Sequence, residues 1–182
     1  KLVRSTDKEI EKTPASDKDL LLFQKAYAFF QMQKMSDAET VFTDLKIKNK
    51  LLADYVQFYL GQIYLTKKEN TKAKESFLSI LEGKPNIRLK NQTMLFLSGI
   101  QAEEKNYKAA HSLLQKLEKA TRGTEQHPGI LLELATIEDQ LNLKNKKCTR
   151  LVKLYTQYPQ FDKTADWGYN LFLNRVNNRV EF

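Results

Sequence analysis

This sequence predicts an all-α chain built of antiparallel helix hairpins, and three observations predict it. Gly (6) and Pro (4) are scarce in 182 residues, so turns and strands lack their usual residues. Apolar residues recur at i, i+3, i+4 and i+7 through nearly every segment, which is the stripe of an amphipathic helix. Related strings also return about every 35 to 38 residues, a period that fits stacked helix pairs.

The spacing predicts nine helices, roughly 18–33, 36–48, 51–66, 70–83, 88–104, 107–121, 128–141, 145–158 and 162–177. Ser36, Asn70 and Asn106 stand near helix starts, where a side-chain oxygen can cap free N–H groups. Gly83 and Pro85 end the fourth helix, GTEQHPG at 123–129 forms the longest loop, and Pro159 ends the eighth helix. KIKNK at 46–50 and KNKK at 144–147 fall in turns. Residues 1–17 read as a flanking segment, 18–160 as one repeat domain, and 161–182 as a C-terminal helix that caps the array or begins a further repeat.

Composition excludes several classes of function. Hydrophobic residues at 41% and charged residues at 29% suit a folded chain. No uncharged run is longer than Tyr55 to Thr66, which is far shorter than the roughly 20 apolar residues of a membrane helix, so no span is expected. The first residues carry no apolar stretch of a signal peptide. The missing initiator Met reads as a processed or truncated product, so the compartment stays open. The formal charge of +8 permits an acidic partner, but lysines spread over solvated helix faces explain it.

The repeat appears when KMSDAETVF (34–42), ENTKAKESF (69–77), NYKAAHSLL (106–114) and NKKCTRLVK (145–153) are aligned. Small residues fall at Ala38, Ala73, Ala110 and Cys148, and large ones four positions later at Phe42, Phe77, Leu114 and Val152. A small residue lets the second helix of a hairpin approach the first, and the large residue fills the space beside it. In this pattern Cys148 is a buried structural thiol.

These residues resemble the tetratricopeptide repeat family. Residues 54–87 carry the resemblance best, with Leu60-Gly61, Tyr64, Ala73, Phe77 and Pro85 in the family's order and spacing. Gln57, beside Phe58, stands at its first aromatic position. Residues 19–52 contribute Ala26, Phe29, Ala38 and Phe42. Residues 92–125 keep Gly99, Ala110 and Leu114 with a turn shortened by one, and 128–160 keep Cys148, Val152, Tyr158 and Pro159. The resemblance implies a right-handed superhelical array of about four repeats. It also implies that Gly61 admits the neighbouring helix while Tyr55, Phe58, Leu60, Ile63 and Tyr64 serve two packing faces. LADYVQFYLGQIYL (52–65) and LYTQYP (154–159) are similar to the helical platform of soluble lytic transglycosylases, which favours a cell envelope or periplasm over the cytoplasm. No catalytic Glu transfers, because the sole Glu-Ser pair, Glu75-Ser76, lies on a repeat helix.

Little in the sequence points to chemistry. His111 and His127 are too far apart for a zinc pair, and Cys148 is distant from both. His111 is expected half-exposed on a helix and His127 in the long loop. No nucleotide-binding glycine loop occurs, and neither a cofactor nor a metal is expected. The expected function is a non-catalytic scaffold for a protein or peptide partner, with peptidoglycan machinery as one candidate and nucleic acid not expected. The family's groove-facing positions map to Phe23, Tyr27, Tyr55, Phe58, Gln62, Phe96 and Ile100, although aromatics at such spacing also build cores. Trp167, Leu171 and Phe172 form a second apolar stripe that suits an interface. The alternatives are the non-catalytic platform of a lytic transglycosylase and an RNA-binding helical repeat. The varying intervals and apolar groove candidates disfavour the RNA reading.

Overall fold

A computed structural model describes residues 15–45 and 50–161. Every regular element among them is an α-helix: α1 (Ala15–Gln31), α2 (Met35–Asp44), α3 (Lys50–Thr66), α4 (Asn70–Glu82), α5 (Ile87–Glu103), α6 (Tyr107–Ala120), α7 (His127–Gln140) and α8 (Lys144–Gln157). KNKK at 144–147 opens α8 instead of forming the turn before it. The expected helix at 162–177, with Trp167, Leu171 and Phe172, lies outside the described residues.

One turn recurs four times and defines the hairpins. Gln33, Lys68, Lys105 and Asn142 all have φ between +57° and +63°, the left-handed conformation that closes a Schellman motif. In each case the next residue donates its N–H five residues back: Lys34 to Phe29, Glu69 to Tyr64, Asn106 to Gln101 and Leu143 to Glu138. The left-handed residue itself donates three back, for example Lys68 to Leu65. These bonds engage the N–H of the residue that begins the second helix, and no side-chain cap is made at Lys34, Glu69 or Asn106. The expected cap by Asn106 is not formed; its side-chain Nδ2 donates to Gln101 Oε1 at 2.8 Å. A side-chain cap does occur at Asn86, whose Oδ1 accepts the Leu89 N–H at 2.9 Å and starts α5.

Counting from these turns corrects the repeat register. The left-handed residues are spaced 35, 37 and 37 apart. The small-residue positions are consequently Ala38, Ala73, Ala110 and Lys147, and the large ones Phe42, Phe77, Leu114 and Leu151. Ala38, Ala73 and Ala110 are wholly enclosed, whereas Cys148 is exposed and Val152 is 61% exposed. In the fourth repeat the inward row lies one residue earlier than the aligned strings place it, since α8 turns Arg150, Leu151 and Leu154 inward while Cys148 and Val152 face out. The same count puts Ser98, not Gly99, at the position of Gly61. The third turn is not shortened. Ala26, Gly61, Ser98 and Ala135 form a second buried series of small residues.

The contacts divide the chain into two compact units, Lys1–Thr93 and Met94–Phe182, with the boundary inside α5. In the first unit α1 packs on α2, α3 on α4, and α3 also meets α1 and α2. Its core joins Ala26, Ala38, Phe42, Val56, Leu60 and Ile63. Gly61 is the close-approach point on the opposite face of α3. A Cβ there would stand 2.6 Å from Phe77 Cε1 and 2.7 Å from Cζ, and that ring is fully enclosed. Gly61→Ala is therefore expected to destabilise the chain by about 1–3 kcal/mol despite alanine's better helix propensity. Urea unfolding checks this, and Phe77→Leu in the same chain should recover part of the loss.

In the second unit α7 packs against both α6 and α8. Leu114, Leu117, Leu131, Leu134 and Leu154 are buried there. Pro128 opens α7 within its first turn, where a missing N–H costs nothing.

Candidate functional site

The first unit gathers most of the predicted groove residues around one tyrosine that was not among them. Phe23, Tyr27 and Phe30 form a ridge on α1, and their rings lie 6.0, 5.2 and 5.2 Å from that of Tyr59 on α3. Phe42 stacks on Tyr59 at 5.7 Å, and Phe58 meets it edge-on at 5.8 Å. Burial, then the neighbouring Tyr27 and Tyr55, push the Tyr59 hydroxyl up to about 12, and Tyr27 shares a side-chain hydrogen bond with it. Tyr27 remains 37% exposed at the edge of the cluster. Tyr55, one turn before Tyr59 on α3, and Gln62 are half-buried. The arrangement presents an aromatic face with polar tips on a floor of packed rings, suited to holding an apolar side chain.

The other candidates separate from this face. Phe58 is 7% exposed and turns to Phe77 at 6.1 Å. Ile100 is fully enclosed and Phe96 half-buried. Measured from the turns, Phe96 and Ile100 correspond to Tyr59 and Ile63, whereas Phe23 and Tyr27 correspond to Phe58 and Gln62. The choice in α5 carried the one-residue slip of Gly99, which moves a helical position by about 100°. Tyr59 was legible as the i+4 partner of Tyr55, opposite the Phe23, Tyr27, Phe30 ridge.

A cleft of about 590 Å³ opens beside Gln57 and Tyr64 on α3 and Lys72, Glu75, Ser76 and Ser79 on α4. Lys72 lies 5.5 Å over the Tyr64 ring and 2.6 Å from Glu69. Burial, followed by the charge of Glu39, pushes the Tyr64 hydroxyl up.

A buried charged cluster in the second unit gave no warning in the sequence. Glu118 of α6 accepts from Arg150 at 2.7 Å and Lys153 at 3.0 Å, both on α8. Glu138 of α7, wholly enclosed, lies 3.1 Å from His111 Nε2 and 3.4 Å from Arg150 Nε. Burial alone would raise the Glu118 carboxyl, but Lys153's hydrogen bond and the Arg150 charge bring it below its ordinary value. His127 is buried as the first residue of α7 and not in the loop where it was expected. It reaches Thr121 Oγ1 at 3.3 Å and stands 5.8 Å from the Tyr158 ring. Its burial, then the Lys153 charge, lower its pKa. Counted from the turns, Glu138 holds in this unit the position of Gln101 one repeat before it and of Phe29 and Tyr64, both half-buried, in the first unit.

Among the described residues, no group of three or more His, Cys, Asp or Glu could hold a metal ion, and no helix is long and apolar enough to cross a membrane.

No protein-family model and no curated protein sequence matches the chain. Solved structures do. The chain is similar to YrrB, described as a TPR protein with an unusual peptide-binding site, with a TM-score of 0.69 and 15% identity over 97% of this chain and 86% of that one. It is also similar to PilF of Pseudomonas aeruginosa, with a TM-score of 0.66 and 18% identity over 93% and 72%. At such identities the likeness establishes the fold. The chain is a TPR-like, all-α array of helix hairpins.

Proposed function

We propose that the chain is a non-catalytic scaffold that holds a peptide or partner protein on the aromatic face of α1 and α3. The observation that carries this reading is the position of Tyr27, 37% exposed yet fixed by ring contact with the packed Tyr59. A tyrosine already held in place loses little conformational freedom on binding and offers both a ring face and a hydroxyl. An apolar side chain of the partner rests on Phe23 and Tyr27, and main-chain groups of the partner meet the hydroxyls of Tyr27 and Tyr55. That YrrB, a structural neighbour, has a peptide-binding site supports peptide as the ligand class. A cell-envelope setting rests on the resemblance of LADYVQFYLGQIYL and LYTQYP alone, and cell fractionation checks it.

Peptides selected by display on the full chain test the reading. Tyr27→Ser is expected to weaken a selected peptide about thirtyfold, the loss of one hot-spot residue worth roughly 2 kcal/mol, with helicity by circular dichroism unchanged. Undiminished affinity in that variant would overturn the assignment. Phe58→Ala is a poor probe, because it removes a buried ring and lowers stability.

A further inference from the structure

The aromatic face of α1 and α3 is built without charge. On α1, Leu20, Gln24, Tyr27 and Gln31 stand at i, i+4, i+7 and i+11, one row along the helix, and each is exposed. On α3 the same places, counted from the turns, hold Tyr55, Tyr59, Gln62 and Thr66, of which Thr66 is exposed and the others half-buried. Ring contact between Tyr27 and Tyr59 at 5.2 Å sets the two rows side by side. Neither row carries an acidic or basic side chain, in a chain where 29% of the residues are charged. The fold does not impose this. Two repeats later Glu103 and Glu133 take the places of Gln31 and Tyr59.

The polar groups on the rows are neutral and have bonds to give. The amides of Gln24, Gln31 and Gln62 make no side-chain hydrogen bond among the described residues, and each offers two donors and an acceptor oxygen. Thr66 Oγ1 donates to the Gln62 carbonyl at 3.0 Å and keeps its lone pairs. A charged side chain brought onto this face loses water against Phe23 and Tyr27 and finds no opposite charge. Amides and hydroxyls instead meet an N–H or a C=O equally well. A helical partner has spent those main-chain groups internally, whereas an extended one turns them outward. Leu20 and Gln31 are about 16 Å apart along α1, the length of about five extended residues.

We infer that the two rows select for absence of charge: they take an uncharged, extended segment of the partner polypeptide, with Gln24, Gln31 and Gln62 bonding its main chain around the apolar side chain held by Phe23 and Tyr27. The inference rests on the docking face proposed above and adds what that face admits and rejects. Residues 1–14 of this chain, which precede α1, carry seven charged side chains and do not match it.

The probe is the tightest peptide of a random library of about seven residues, displayed against the full chain, among those that Tyr27→Ser weakens. Its central positions are expected to hold no Asp, Glu, Lys or Arg. Its affinity should change by no more than about twofold between roughly 50 and roughly 500 mM sodium chloride. Lysine or glutamate at its centre should each weaken it about tenfold. Gln31→Glu should recover the affinity of at least one lysine-substituted peptide and of no glutamate-substituted one. Gln31 is exposed and its counterpart two repeats on is Glu103, so that variant should keep the parent's helicity. Gln31→Ala with Gln62→Ala should weaken the unsubstituted peptide about tenfold, the loss of two main-chain hydrogen bonds. A Tyr27-dependent peptide that carries a central charge and loses affinity with salt overturns the selection rule and leaves the docking face standing. A library that yields no peptide weakened by Tyr27→Ser overturns the docking face itself. Tighter binding after truncation at 161 overturns the inference in favour of residues 162–182 as the occupant.

Discussion

Replacing Arg150 by methionine should lower stability by about 3–5 kcal/mol, because it leaves two buried carboxylates without their shared cation. Arg150 links Glu118 of α6 to Glu138 of α7 from its place on α8, so three helices lose a common anchor. Lys153 still reaches Glu118, and His111 still faces Glu138. Glu138 Oε2 meanwhile has no hydrogen-bond partner among the described residues. The loss should therefore fall mainly on Glu138, and Glu138→Gln in the Arg150→Met background should recover part of it. Chemical denaturation of the parent, both single variants and the double variant measures this as a cycle. Equal, additive losses from the two substitutions would show that the pair does not interact.

Raising the pH from 4.5 to above 8 should cost roughly 3–5 kcal/mol of stability through Glu133 alone. This carboxyl is 5% exposed, and burial pushes it up to about 8 from an ordinary 4.5. The unfolded chain releases that proton near pH 4.5, while the folded chain keeps it until about 8. The contribution is therefore complete below 4.5 and is lost as pH rises through the folded value. Glu118 and His127 act in the opposite sense, since both values are lowered by folding and both stabilise less as the solution is acidified. Glu133→Gln removes only the alkaline arm. The variant should match the parent near pH 5 and exceed it above pH 8. A parent stability that stays level between those values would mean that Glu133 is ionised in the folded chain.

The sequence showed the helices well and the register less well, for reasons visible in single residues. Apolar periodicity places α1 to α8 to within a few residues, and Gly61 was legible because its neighbours Leu60, Tyr64, Ala73 and Phe77 all stand at family spacing. The left-handed turn residues could not be read, because Gln33, Lys68 and Lys105 are not glycine or asparagine, the usual occupants. Without them Cys148 looked like the missing small residue, although Lys147 stands there and the thiol points outward. The charged cluster was hidden for another reason. Glu118, Glu138 and Arg150 are residue types that normally mark a solvated face, and only the packing of α6, α7 and α8 brings them inside. Of the predicted groove, Phe23 and Tyr27 meet at Tyr59 because α1 and α3 are held face to face.

The four Schellman turns also determine where this chain can change length. Residues 32–34, 67–69, 104–106 and 141–143 close the hairpins through the same pair of backbone bonds, so an extra residue in any of them breaks both bonds and rotates the following helix. The difference between spacings of 35 and 37 is absorbed elsewhere, in the second helices and in the connections from one hairpin to the next. The hairpin is thus the unit that duplication can copy whole. The segment around Arg122–Gln126, exposed throughout, is where a foreign sequence or a protease site could be inserted while each neighbouring hairpin stays closed.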